Sequence, residues 1–201
     1  MKTLLSFLII LVGASSIANA QQQQKRYCDD MARVANLPHL DKGQFDRYLA
    51  DKGAVTRILV SKYKHELYLL NDKEEVLKTY KVAFGMDPWG GPKRFQGDQK
   101  TPEGIYEIDY KNPQSAYLLS LHVSYPNEAD VAYAKSRGKD PGGDIMVHGF
   151  PVNPLKHAGV SEVHPSDWTQ GCIAVTDSEI KEIFSLVKEK TKIEICSYQQ
   201  R

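Results

Sequence analysis

From Val55 onward the chain is cut into short β-rich runs, and the run from Val76 to Phe84 carries apolar groups on both of its faces. Val76, Tyr80, Val82 and Phe84 share one face with Lys78, while Leu77 and Ala83 share the other with Thr79 and Lys81. Side chains alternate across a strand with period two, so this pattern predicts a strand packed on both sides. Further strands are expected over Thr56 to Ser61, Leu67 to Leu70, Gly104 to Asp109, Ala116 to Val123, Ile145 to Val147 and Lys192 to Ile195. Between them lie a Gly- and Pro-rich loop from Gly85 to Lys100, containing Trp89, and the turn Asp140-Pro141-Gly142-Gly143-Asp144. Two helices announce themselves by their caps. Asn127 opens Glu128 to Arg137, stopped by Gly138, and Thr176-x-x-Glu179 is a capping box ahead of the apolar stripe Ile180, Ile183, Phe184 and Val187. The fold class is therefore mainly β with a few helices.

The region before this domain reads differently. Residues 1–20 combine Lys2, a short apolar run from Leu4 to Val12 and the small-residue site Ala18-Asn19-Ala20, the form of a secretory signal peptide. The apolar run is too short to span a bilayer comfortably. A secreted protein in the periplasmic or extracellular space is expected, with no stable membrane span after signal removal. Residues 21–54 form an N-terminal helical segment with a break at Pro38 and a second capping box at Asp41-x-x-Gln44; residues 55–196 are the main domain, and 197–201 a C-terminal tail. A net charge of +1 on 201 residues, with scattered lysines, gives no electrostatic footprint for nucleic acid.

Export makes the three cysteines informative, because an odd count in an oxidising compartment leaves one unpaired within the chain. Cys28 and Cys196 lie near the two ends of the mature chain, and their pairing would leave Cys172 free. A catalytic thiol needs a base nearby, backbone donors for an oxyanion, and a route to its thiolate, which a neighbouring imidazolium can stabilise. Gly171 lets the chain turn tightly before Cys172, and the N–H groups around Cys172 are candidate oxyanion donors. His148 ends a short strand, and the Gly149 carbonyl is placed to fix its tautomer. His122, His157 and His164 compete as bases, and a lone cysteine is more often a small buried apolar group. No compact His or Cys spacing suggests zinc, so no metal and no cofactor are expected.

At these residues the chain resembles the L,D-transpeptidase catalytic-domain family of bacterial cell-wall enzymes. Four segments carry the resemblance, in order: Lys100-Thr101-Pro102-Glu103-Gly104, Ser124-Tyr125-Pro126-Asn127, Pro141 through His148-Gly149, and Thr169-Gln170-Gly171-Cys172. It implies a β-sandwich catalytic domain in which Cys172 is the nucleophile, His148 the base and Gly149 its orienting carbonyl. Thr169 takes the family's Ser/Thr position, and Trp168, Gln170 and the loops at 86–99 and 150–167 are candidate walls of a substrate groove. The implied substrate is the peptidoglycan stem tetrapeptide, attacked at the L-centre of meso-diaminopimelate with release of D-alanine. An amine acceptor, including an outer-membrane lipoprotein, would give a transpeptidase; water would give an L,D-carboxypeptidase. Crosslink- or lipoprotein-cleaving amidases share the same thioester, and a non-catalytic cell-wall binding protein is the alternative of a different class. Two departures stand out: Ala174 occupies a position where the family often has Arg, and the interval from His148 to Cys172 is long.

Overall fold

The computed structural model describes residues 42–153 and 167–197, all within the compact unit Ala35–Arg201. The signal peptide, the break at Pro38, Asp41, Cys28, His157, His164 and residues 198–201 lie outside the described residues. Helix α1 (Lys42–Lys52) precedes strands β1 (Arg57–Ser61), β2 (Glu66–Leu70) and β3 (Val76–Lys81). The long β4 (Gly104–Ser115) and β5 (Leu118–Val123) follow, then α2 (Glu128–Lys135) and β6 (Met146–His148). The chain closes with β7 (Ile173–Ala174), α3 (Asp177–Leu186) and β8 (Lys192–Cys196). Among the described residues no helix is long and apolar enough to cross a membrane.

The strands form one eight-stranded sheet in the order β3-β2-β1-β8-β4-β5-β6-β7. Strand β4 changes partners along its length. Gly104–Glu107 pairs with β8, and Ile108–Ser115 pairs with β5. The sheet curls at that handover, so its two halves face a common core. The curl brings the sheet's two ends together: beyond β3, Ala83 exchanges two backbone hydrogen bonds of 2.9 Å with Ala174 of β7. Chain that leaves one edge strand thus covers the other, which removes an open edge.

The core draws on every part of this arrangement. Ile58, Val60, Leu67, Leu69, Leu121, Val147, Ile173, Ile193 and the α3 residues Ile180 and Ile183 are all buried. The capping box expected at Thr176 with Glu179 is present, and Asn127, expected as a cap, also closes a capping box with Asp130. The two-sided packing expected of Val76 to Phe84 holds at both ends, where Val76 and Leu77 are also buried, but not in the middle. Val82, Ala83 and Phe84 are buried, but β3 itself is an edge strand that exposes Thr79 and Lys81. Lysine at an edge is an ordinary guard against further strand pairing.

One buried charge braces the loops. Lys62 is fully buried; its Nζ meets Glu103 Oε1 at 2.7 Å and donates to the carbonyls of Gly91 (3.2 Å) and Thr101 (3.4 Å). An ion pair this deep holds only when both partners and the leftover donors are satisfied, as they are here.

Candidate active site

Strands β6 and β7 run parallel, with Val147 opposite Ile173 and His148 opposite Ala174. Val147 and Ile173 point into the core, so their neighbours in sequence, His148 and Cys172, emerge on the other face of the sheet. The two side chains form a diagonal pair on adjacent strands, with β-carbons roughly 7 Å apart by ordinary sheet geometry. The pair is thus assembled by register, although 23 residues intervene in sequence.

His148 is almost wholly buried, and its Nδ1 lies 2.6 Å from the Gly149 carbonyl. A carbonyl only accepts, so Nδ1 carries the proton and Nε2 keeps its lone pair. Burial pushes the imidazole pKa down to about 4, against the opposing effect of the Gly149 hydrogen bond. Tyr117 lies over the ring at 4.3 Å between centroids, and Trp168 meets it edge-on at 5.7 Å. Phe150 stacks on Trp168 at 6.3 Å. These contacts supply the low-dielectric enclosure that keeps His148 neutral.

The Cys172 thiol is also pushed up, chiefly by burial and further by the charge of Asp144. The Met146 N–H, 3.4 Å from Sγ, and the charge of Lys93 act the other way. Lys93 is itself buried against Asp98 at 3.0 Å. The thiol donates toward the Asp144 carbonyl at 3.5 Å. The resting pair is therefore a neutral thiol beside a neutral imidazole. The imidazolium that the sequence reading offered as one way to stabilise a thiolate is disfavoured in this resting arrangement, because the site buries both groups.

The loop ahead of Cys172 is held at several points. Asp167 Oδ1 accepts from the Phe84 N–H at 2.7 Å, and His65 Nε2 lies 3.0 Å from Asp167 Oδ2. Thr169 N–H donates to the Phe84 carbonyl, and the Thr169 carbonyl accepts from Met86, each at 3.0 Å. The Thr169 hydroxyl donates to the Cys172 carbonyl at 2.7 Å and accepts from Gly171 N–H at 3.1 Å. Thr169 and the Gly171 N–H are thus engaged inside the loop, and neither is turned toward a reacting oxygen. Gly171 has φ +130°, and a β-carbon there would stand 2.5 Å from the Lys100 carbonyl oxygen. Beside it the hydroxyl of buried Thr101 accepts from Gly85 N–H at 3.1 Å. The Lys100-Thr101-Pro102 segment therefore buttresses the loop ahead of Cys172 from behind.

Of the other residues singled out from sequence, Gln170 is exposed at the loop tip, and Ala174 is buried opposite His148. His122 shares the face of Cys172 but pairs through Nδ1 with Asp109 Oδ1 at 2.6 Å. Cys172 is free and Cys196 is disulfide-bonded. Among the described residues no group of three or more His, Cys, Asp or Glu side chains is placed to hold a metal. Sequence reasoning missed Tyr117, Phe150 and Asp167. Only Asp167, contiguous with the motif, left a signal there; the aromatic enclosure exists only once the strands pair.

Comparison with known proteins identifies the family. The profile of the L,D-transpeptidase catalytic domain (YkuD) matches residues 55–195. The candidate L,D-transpeptidase YafK of Escherichia coli (strain K12) is 30% identical over 128 residues, covering 61% of this chain and 42% of that protein. The chain thus spans less than half the length of the curated relatives it matches. Among solved structures, the helical cell shape determining protein Pgp2 from Campylobacter jejuni is similar in fold at a TM-score of 0.54. Its sequence identity is 24%, over 78% of this chain and 56% of that one.

Proposed function

Because the chain belongs to the L,D-transpeptidase catalytic-domain family, we propose that it is an exported cysteine acyltransferase acting on peptidoglycan stem peptides. The observation that carries this reading is the same-face pairing of Cys172 with a histidine whose tautomer is fixed by Gly149. As Cys172 Sγ attacks the carbonyl at the L-centre of meso-diaminopimelate, the thiol proton passes to His148 Nε2. The tetrahedral intermediate collapses with cleavage of the amide bond, and the same proton goes to the departing D-alanine nitrogen. An acceptor amine then attacks the thioester carbon, forms the new amide, and the sulfur leaves as the thiol. Thr169 and Gly171 serve by holding the loop, and Trp168 by packing on His148; Gln170, exposed at the loop tip, is the candidate for meeting the substrate.

Water in place of the amine gives the carboxypeptidase reaction, and a crosslink or lipoprotein linkage in place of the terminal residue gives the amidase reaction. The signal-like residues 1–20 support action in the periplasm or outside the cell, where an outer-membrane lipoprotein is a candidate acceptor. The pairing of Cys28 with Cys196 expected from the sequence belongs to this reading, and a non-reducing peptide map with Cys172 in the bridge would overturn it.

The test is to incubate the mature protein with disaccharide-tetrapeptide, with and without a D-amino acid, and to follow products by mass spectrometry. Exchange of the terminal residue is expected. Release of D-alanine alone would place the protein among the carboxypeptidases. No reaction by a folded wild type would overturn the enzymatic reading in favour of a wall-binding protein.

A further inference from the structure

Away from the reacting pair, two segments far apart in sequence meet and gather positive charge. The Gln96 N–H donates to the Asp140 carbonyl at 2.8 Å, which joins the loop at residues 93–98 to the turn that follows α2. At this join Arg94 Cζ lies 4.5 Å and Arg137 Cζ 3.8 Å from the centre of the Tyr133 ring. Lys139 Nζ lies 4.4 Å from the centre of the neighbouring Phe95 ring, and the two rings are 6.0 Å apart. Lys135, Arg137 and Lys139 are exposed, and Arg94 is half-buried. The backbone beneath them is fixed. Arg137 and Lys139 N–H groups both donate to the Ala134 carbonyl, at 3.0 and 3.1 Å, and Asp98 accepts from the N–H groups of Arg94 and Phe95 at 2.6 and 2.9 Å.

The acids of this region are engaged elsewhere. Asp98 is taken by those two N–H groups and by Lys93, Asp130 by the Tyr106 hydroxyl and the Asn127 N–H, and Asp140 by the Gly142 N–H. Among the described residues none of Arg94, Lys135, Arg137 and Lys139 is ion-paired with a carboxylate. Cations at a helix end are ordinary, because they meet the carbonyl end of its dipole. That accounts for Lys135 and Arg137 but not for Arg94, which reaches the same ring from another segment. A guanidinium stacked on a ring keeps its N–H edge free for the two oxygens of an oxyanion, and the ring has already restricted its motion. The patch is therefore preorganised for anionic groups presented at more than one point. No large apolar side chain is exposed within it, as anchoring in a lipid surface would require.

The patch belongs to the surroundings of the reaction site. The chain runs from Lys139 to Asp144, whose carbonyl meets the Cys172 thiol, a span of at most about 18 Å when extended. We propose that Arg94, Arg137 and Lys139 form a docking surface for carboxylates of polymeric peptidoglycan, borne by stem peptides other than the one under attack. Every stem peptide that ends in D-alanine carries a free terminal carboxylate, and the polymer repeats it. Several fixed cations gain from such an array an effective concentration that a single soluble stem does not offer. This surface rests on the peptidoglycan reading and deepens it: the protein recognises the wall as a polymer, through groups separate from Cys172 and His148.

The test separates docking from reaction. Mature Cys172→Ala protein is co-sedimented at low ionic strength with purified peptidoglycan sacculi, native or with their carboxylates amidated. Amidation should weaken binding about tenfold. Arg137→Gln together with Lys139→Gln, in the same background, should remove most of that difference by weakening binding to native sacculi. Both side chains are exposed and outside the reaction site, so the pair in otherwise wild-type enzyme should leave D-alanine release from soluble disaccharide-tetrapeptide unchanged. Lys139→Glu is the second variant, with the same loss of binding expected, for use where the pair disturbs folding. Equal binding of native and amidated sacculi by Cys172→Ala, or a difference undiminished in a folded variant, would overturn the proposal. Capture by vesicles of anionic phospholipid with no binding to sacculi would overturn it as well. Wild type that releases no D-alanine, while carboxylate-dependent binding to sacculi persists, would sink the proposed reaction and leave the docking surface standing.

Discussion

At His148 the demand for a strong base meets the demand for a dry site. Tyr117 and Trp168 exclude water from the ring, and the resulting desolvation holds its pKa near 4. Enclosure therefore keeps Nε2 free to accept a proton throughout the neutral range. Because the folded-state pKa lies below the ordinary value of 6.5, the unfolded chain binds this proton first as the pH falls. The stability linked to His148 is complete above about pH 6.5 and is lost as the pH falls toward 4, by up to about 3 kcal/mol. Denaturant unfolding of wild type and His148→Gln across this window is the check, and the variant should lack that part of the acid loss. The same neutral pair affects reactivity. Iodoacetamide should alkylate Cys172 of the free enzyme slowly at pH 7 and faster as the pH approaches and passes 9, since burial raises the thiol. Rapid alkylation at pH 6 would show a thiolate–imidazolium pair and contradict the neutral resting state. The residues of this pair were legible in the sequence, but their charge state was not. It depends on Tyr117, which reaches the ring only through strand pairing, and on how Trp168 packs against it.

The element that matters most is the short loop before β7. It has little regular structure, and its shape comes from Asp167, Thr169 and Gly171 working against Phe84, Gly85 and Lys100. Sequence pattern identified this motif and the strands around it because turns, caps and alternation are local signals. It read Gly171 as a tight turn and Thr169 only as a family position; that the Thr169 hydroxyl bridges Gly171 and Cys172, and that Phe84 and Lys100, 71 or more residues away in sequence, hold the loop, came from the structure. Gly171→Ala has no relief available, since its backbone is left-handed and the obstacle is a carbonyl oxygen. It should cost about 2 kcal/mol or more in thermal unfolding and remove nearly all turnover. Thr169→Val keeps the shape but loses the hydroxyl bridge between Gly171 and Cys172. It should lower kcat by at least about tenfold, with activity recovered in Thr169→Ser. Full activity in Thr169→Val would show that the bridge is dispensable.

Over the whole molecule, the curl of the sheet at β4 and the meeting of Ala83 with Ala174 join the first strands to the last. The strands themselves were readable, but their order was not, because β8 enters the middle of the sheet beside β1 from the end of the chain. Lys62 was equally hidden, reading as one more surface lysine until Glu103 and two loop carbonyls closed around it. Lys62→Ala would strand the Glu103 carboxylate and should destabilise the fold by about 3–5 kcal/mol in denaturant unfolding, whereas Lys78→Ala should change it by less than about 1 kcal/mol. In the proposed function these supports converge on a single chemical event, the acylation of Cys172. The direct measurement is intact-protein mass spectrometry of the mature enzyme, acid-quenched after mixing with stem tetrapeptide, with peptide mapping of the adduct. The account requires a thioester on Cys172 equal in mass to the peptide less D-alanine, absent in Cys172→Ala. A folded enzyme that releases D-alanine with no adduct on Cys172, or with one on another residue, would contradict it.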